Sequence, residues 1–156
     1  RKGQTPVVPN TTKRFKCNMI STVTNNGNSR FMIFEDSFTI DIFLKFLRKL
    51  TYKQDQKIFL ILDNHRVHHA KKVQKWLEKY VGKIALFYLP PYAPELNPDE
   101  LLNQTIKQKI KHKAVSTNQK QFKNNVSSCV KSIQKSSHTI KSFFLKPELL
   151  YIKKAI

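Results

Sequence analysis

Two carboxylates stand where divalent cations could be held. Asp63 directly follows the apolar run Ile58-Phe59-Leu60-Ile61-Leu62, and Glu100 directly follows Asn97-Pro98-Asp99. Cleavage or exchange of a phosphodiester is served by two magnesium ions, one activating the attacking oxygen and the other stabilising the leaving one. Magnesium takes oxygen ligands in an octahedron, which makes carboxylates its natural holders. A carboxylate at a strand end is rigidly placed, and one in the first turn of a helix can be aimed at it across a loop. Each residue also has a purely structural explanation: Asp63 can cap the helix that follows, and Glu100 can complete a capping box with Asn97. His65, His68 and His69 have a spacing open to a transition metal, but no second ligand group accompanies them. Polar-loop and helix-start roles suit them better, with His65 and Arg66 placed for a phosphate contact. Asp99, at the second helical position, is accounted for by the helix dipole.

These side chains need a scaffold, and the pattern of apolar residues supplies one. Two β-favouring runs, 15 to 24 and 30 to 35, flank Asn25-Asn26-Gly27-Asn28, whose residues tolerate the positive φ of a tight turn, and predict a hairpin. From Thr39, apolar positions at three- and four-residue spacing (Ile40, Phe43, Leu44, Phe46, Leu47, Leu50) predict an amphipathic helix with Ser37 or Thr39 as N-cap. Residues 58 to 62 are continuously apolar, as in a central strand covered on both faces. A helix over 70 to 80, stopped by Gly82, carries Val73, Trp76, Leu77 and Tyr80 on one face and lysines largely on the other. Ile84 to Leu89 is a second short strand, and Pro90, Pro91 and Pro94 force an extended loop that delivers the chain to Asn97. Asn97 as N-cap and Pro98 at the first position start a helix continued by Leu102, Ile106 and Ile110. Beyond residue 114, apolar spacing suggests one or two further helices. The order of elements describes an α/β layer whose last two strands are parallel, with Asp63 and the loop to Glu100 emerging at the strand C-terminal edge, where ligands of such sheets gather.

The 156 residues fit one domain, and with 40% hydrophobic residues they can bury a core. No apolar run approaches the roughly 20 residues needed to cross a bilayer. Cys17 and Cys129 form neither a metal-binding pair nor a disulfide framework, which suits a reducing cytoplasm. Against 10 Asp and Glu stand 29 Lys and Arg, a formal charge of +19 that calls for a polyanionic partner. Lys71 and Lys72 on one helix and Lys107 and Lys111 on another are candidate DNA contacts. A Lys-rich composition serving solubility alone is the plainer alternative.

Two stretches carry a more specific signal. Leu62-Asp63-Asn64-His65-x-x-His68 and Leu89-Pro90-Pro91-Tyr92-Ala93-Pro94-Glu95-Leu96-Asn97-Pro98-Asp99-Glu100 together resemble the signature of bacterial insertion-sequence transposases related to the Tc/mariner group, within the DDE superfamily. The 36 residues from 64 to 99 are close to that family's usual gap. Arg1-Lys2-Gly3-Gln4-Thr5-Pro6 resembles the loop after the family's first strand, Asn18-Met19-Ile20-Ser21 its next strand, and Ser132-Ile133-Gln134-Lys135 its C-terminal helices.

The resemblance implies a ribonuclease-H-like three-layer α/β fold, a mixed sheet flanked by helices, lacking its first strand. Residues 1–115 would be the partial catalytic domain and 116–156 its helical extension. Asp63 and Glu100 would be the second and third members of a metal-binding triad. The cofactor would be two Mg2+ or Mn2+ ions, and the activity would be DNA cleavage and strand transfer at transposon ends. The partners would be double-stranded DNA, at transposon ends and target, and a second copy in a homodimer; the location would be the bacterial cytoplasm. Two departures stand out. The family's first Asp belongs to a strand upstream of Arg1, and Asp36 and Asp41 fall at the wrong point of the topology to replace it, so weak or no catalysis is expected of this chain alone. Thr105 also stands where an acidic residue is expected. The alternatives are a non-catalytic DNA-binding remnant and a basic RNA-binding protein. The latter predicts aromatics on an exposed sheet, whereas the aromatics here mostly follow core periodicity.

Overall fold

The computed structural model describes residues 15–113 and 115–154; the loop expected at Arg1 to Pro6 lies outside them. Strands β1 (Asn18–Val23) and β2 (Ser29–Phe34) form an antiparallel hairpin. Gly27 makes its turn possible at a φ of 84°, where a side chain would be strained. The turn also packs tightly: a Cβ on Gly27 would fall 2.7 Å from the backbone oxygen of Ser137.

Helix α1 (Ile40–Thr51) starts at Thr39, whose hydroxyl accepts from the Ile42 amide, and buries Phe43, Leu44, Phe46, Leu47 and Leu50. Strand β3 (Ile58–Leu62) runs parallel to β4 (Ile84–Tyr88), and the crossover contains a 3-10 turn (Arg66–His69) and α2 (Lys71–Lys79). Helix α2 stops at Lys79, capped by Tyr80, three residues before the expected Gly82. The remaining helices are α3 (Pro98–Lys111), α4 (Gln119–Gln134), α5 (Ser137–Phe143) and α6 (Leu150–Lys154), one more than the periodicity suggested after residue 114.

Two apolar cores result. The first joins α1 and α2 to Leu60, Ile84 and Met32, with Ile20 packed against it; the second joins α3, α4 and α5 to Met19, Val23, Phe31 and Ile33. The hairpin therefore lies between them, because alternating residues of a strand point to opposite faces. Helices α4 and α5 share this second core with α3.

Among the described residues the strands form two two-stranded sheets, β1-β2 and β3-β4, within a mixed α/β arrangement. One expectation needs correction. Strand β3 is not covered on both faces: Leu60 is buried, but Phe59 is 67% and Ile61 41% exposed, because among the described residues helices pack against one side of this sheet only. Phe59 and Phe87 stand beside each other on the bare side, ring centroids 6.1 Å apart, so the expectation that aromatics follow the core fails at these two.

Candidate functional site

The end of β3 and the start of α3 meet at one cavity of about 1040 Å³, whose walls include β1, β3, Asp63 and residues Asn97 to Glu100. Asp63 is held at the strand end by its neighbours. The Nδ1 of buried His68 lies 3.1 Å from the Asp63 carbonyl oxygen and 3.2 Å from Oδ1, and the His65 amide donates to Oδ1 at 3.3 Å. The side-chain hydrogen bond from His68 is the largest influence on this carboxyl and holds its pKa below the usual Asp value. Hydrogen bonds to the charged form have that effect. Asp63 is thus an ionised carboxylate, still 64% exposed to whatever enters the cavity. His68 in turn is wedged against Phe43, ring centroids 4.6 Å apart, and against Phe38 at 5.8 Å. It positions the Asp63 carboxylate from a buried site, which differs from the polar-loop role that the sequence suggests for all three histidines.

Helix α3 presents the other carboxylates. Asn97 caps it by accepting from the Asp99 amide at 3.0 Å, while the Asn97 amide itself donates to the Pro94 carbonyl at 3.0 Å. The reciprocal half of a capping box therefore has no donor left to use. Among the described residues the Glu100 carboxylate has no hydrogen bond or ion pair, and it faces the cavity.

Asp99, in the first turn of α3, has a further role beyond meeting the helix dipole. Its two oxygens accept from the Ser21 hydroxyl at 2.7 and 2.9 Å, tying α3 to β1. Burial raises its pKa to about 6, opposed by the Ser21 bond and reinforced by the negative charges of Glu100 and Asp63. Asp99 therefore feels the charges of both other carboxylates at this edge.

The donor set consists of hard oxygens, which suits magnesium or manganese rather than a softer metal. Yet no group of three His, Cys, Asp or Glu among the described residues is gathered closely enough to hold an ion. The fit is partial: Asp63 and Glu100 can offer oxygens from two sides, and the third ligand position has no local occupant.

The other residues singled out by sequence lie around this edge. His65 is exposed, but its Nδ1 accepts from the Val67 amide at 3.3 Å, which makes it the cap of the 3-10 turn that Arg66 opens. Lys71 and Lys72 are exposed at the start of α2, with Lys72 2.5 Å from Asp41, and Lys107 and Lys111 are exposed on α3. Thr105 returns its hydroxyl to the Leu101 carbonyl at 2.7 Å. The proline-rich loop carries an unforeseen feature: Tyr92 is fully exposed at a φ of 57°, a strained conformation for an aromatic residue.

Comparison with known proteins adds sequence-wide information. The family described as DDE superfamily endonuclease matches residues 1–123. A stretch of 67 residues is 34% identical to a Shigella sonnei protein described as an insertion element IS630 uncharacterized 39 kDa protein. The shared stretch covers 42% of this chain and 19% of that relative, so the chain spans well under two thirds of the relative's length.

Proposed function

Since the chain belongs to the DDE superfamily endonucleases, as a transposase of the insertion-element type related to Tc/mariner, we propose that Asp63 and Glu100 are two of its three metal-binding catalytic carboxylates. The superfamily is generally dependent on divalent metal. In this reading the pair would hold Mg2+ or Mn2+ in a two-ion arrangement, in which the metal supplies activation of the attacking oxygen and charge neutralisation at the leaving one. Residues 1–115 would be part of a ribonuclease-H-like catalytic domain and 116–156 its helical extension. The third carboxylate would come from a strand preceding Arg1. The intact protein would cut DNA at transposon ends and join the freed 3′ hydroxyl to target DNA, acting on double-stranded DNA as a homodimer in the bacterial cytoplasm. Among the described residues no helix is long and apolar enough to cross a membrane.

The observation that carries this reading is the convergence of Asp63 and Glu100 on one cavity, with Glu100 unengaged by the capping partner that would otherwise explain it. The chain's own residues do the positioning: His68 hydrogen-bonds Asp63 and lowers its pKa, and Asn97 and Pro98 fix the start of α3. His65, Arg66, Lys71, Lys72, Lys107 and Lys111 would contact DNA phosphates, a salt-sensitive attraction.

Asp63→Asn and Glu100→Gln, placed singly in the full-length transposase, are expected to lower strand transfer by at least about 10²-fold each, the scale of losing one well-placed charge-stabilising group. Unchanged transfer by Glu100→Gln would remove its catalytic role. The 156-residue chain itself should be far slower than a version extended upstream to include the missing carboxylate.

A second reading has one observation in its favour. Phe59 and Phe87 form an exposed aromatic pair, with the Lys57 ammonium 5.9 Å from the Phe59 ring, a surface on which unpaired bases can stack. Competition between duplex DNA and structured RNA at two salt concentrations separates the readings. Preference for RNA that survives high salt would favour the second.

A further inference from the structure

The peptide unit that leads into α3 is held on both sides. The Asn97 amide donates to the Pro94 carbonyl at 3.0 Å, and the Leu96 carbonyl accepts from the Tyr151 hydroxyl at 2.9 Å, a contact across 55 positions. Both groups lie in one plane, because the peptide bond joining Leu96 to Asn97 is planar. With its N–H and its C=O each tied, that plane is not free to rotate, and the direction in which the chain enters α3 is set. No backbone amide among the described residues donates to the Leu96 carbonyl, so the Tyr151 hydroxyl is what holds that side.

Tyr151 is itself anchored. A 3-10 turn (Pro147–Leu149) precedes it and packs against the 3-10 turn Pro94–Leu96, and both turns read Pro-Glu-Leu. Leu149 is fully buried. Phe144, before the turn, belongs to the second core, and Ile152, just after Tyr151, packs against that core. The hydroxyl is therefore presented by a segment held from both ends.

Glu100 stands three residues after Asn97, in the first turn of the helix whose start is fixed in this way. Tyr151 also lines the cavity that Asp63 and Glu100 border. A tyrosine hydroxyl on a loop carbonyl can serve stability alone, but this bond is exposed to solvent. Water can satisfy the Leu96 carbonyl when the hydroxyl is absent, and the fold then loses little. What water does not supply is direction. We propose that Tyr151 is a positioning residue for Glu100: acting from the C-terminal segment, beyond the residues matched by the superfamily, it fixes the peptide plane at the start of α3 and so aims the Glu100 carboxylate into the cavity.

This role rests on the reading of Glu100 as a metal-binding carboxylate, and the two can fail separately. Tyr151→Phe keeps the ring and loses only the hydroxyl. In the full-length transposase it should lower strand transfer at saturating DNA about fivefold, the scale of one neutral hydrogen bond. KM for DNA should stay unchanged, and the Mn2+ concentration giving the half-maximal rate should rise by a similar factor. Because Tyr151 acts through Glu100, the variant carrying both Tyr151→Phe and Glu100→Gln should be no slower than Glu100→Gln alone, whereas independent contributions would multiply. In the isotope-labelled 156-residue chain, hydrogen exchange of the Asn97 and Glu100 amides should quicken about fivefold in Tyr151→Phe while amides of α4 keep their rates. That measurement needs neither DNA nor metal. Wild-type rate and metal dependence in Tyr151→Phe, multiplied losses in the double variant, or unchanged exchange at Asn97 and Glu100 would each overturn the proposal. Unchanged transfer by Glu100→Gln would instead remove the catalytic assignment, while quickened exchange would still show Tyr151 holding the start of α3.

Discussion

The two sheets of this molecule were built from opposite kinds of sequence and ended in opposite environments. The β1-β2 hairpin is mixed in polarity, yet its two faces are enclosed between the two cores. The β3-β4 pair is almost continuously apolar, yet one face displays Phe59, Ile61 and Phe87. Apolar content in a strand records what a side chain is able to bury against. What it does bury against depends on which other elements reach it, and among the described residues helices reach only one side of β3.

The sharpest way to break this contrast is to remove matched large side chains. Phe43→Ala and Ile133→Ala, one in each core and each nearly inaccessible, should cost about 3–5 and 2–5 kcal/mol respectively. Denaturant midpoints at fixed pH measure both, and a loss under about 1 kcal/mol at either would show that its core is not formed as described.

Next in size is the junction between the regions, where Ser21 of β1 holds Asp99 of α3. The Asp99 pKa is raised from 3.8 to about 6, so folding favours the protonated form. Its contribution is intact below the unfolded value and is lost as pH climbs through about 6. Asp63, with a lowered pKa, behaves oppositely, contributing above 3.8 and losing that contribution as acid is added. Asp99→Asn should therefore stabilise the protein at pH 7, by about 1–3 kcal/mol, and flatten the slope of stability between about pH 4 and 6. An unchanged slope would mean that this carboxyl is not the buried one.

Gly27→Ala tests the seating of the hairpin. The positive φ alone costs about 1–2 kcal/mol, and the contact with Ser137 adds to it. Thermal melts of the variant and of Gly82→Ala, which meets nothing within 4 Å, should separate clearly. The smallest effect belongs to the bare face: Phe59→Ser and Phe87→Ser should each shift stability by no more than about 0.5 kcal/mol. A larger loss would mean that the face is covered in solution.

Much of this architecture could be read along the chain because its signals are local. Gly27 for the turn, Thr39 and Asn97 as caps, the spacing of Phe43, Leu44 and Leu47, and the parallel β3-β4 crossover all depend on neighbours in sequence. Asp63 and Glu100 were legible as candidates for the same reason, and their flanking words identified the family. What escaped depends on contacts between distant segments: Ser21 with Asp99, His68 against Phe43, Gly27 under Ser137, and the bare side of β3. No periodicity encodes which hydroxyl will meet a carboxylate 78 positions away.

The enclosed hairpin also says how the chain is expected to assemble. Its tight turn closes a short loop, an event on the scale of about 1–10 μs, whereas the parallel β3-β4 pairing must first bring together segments separated by α2. A surface formed early, with one side offered to each core, lets both condense on the same template. Loosening one side then weakens the support of the other, so the two halves should unfold in a single step: fluorescence of Trp76 in the first core and exchange of amides in α4 should report the same transition midpoint.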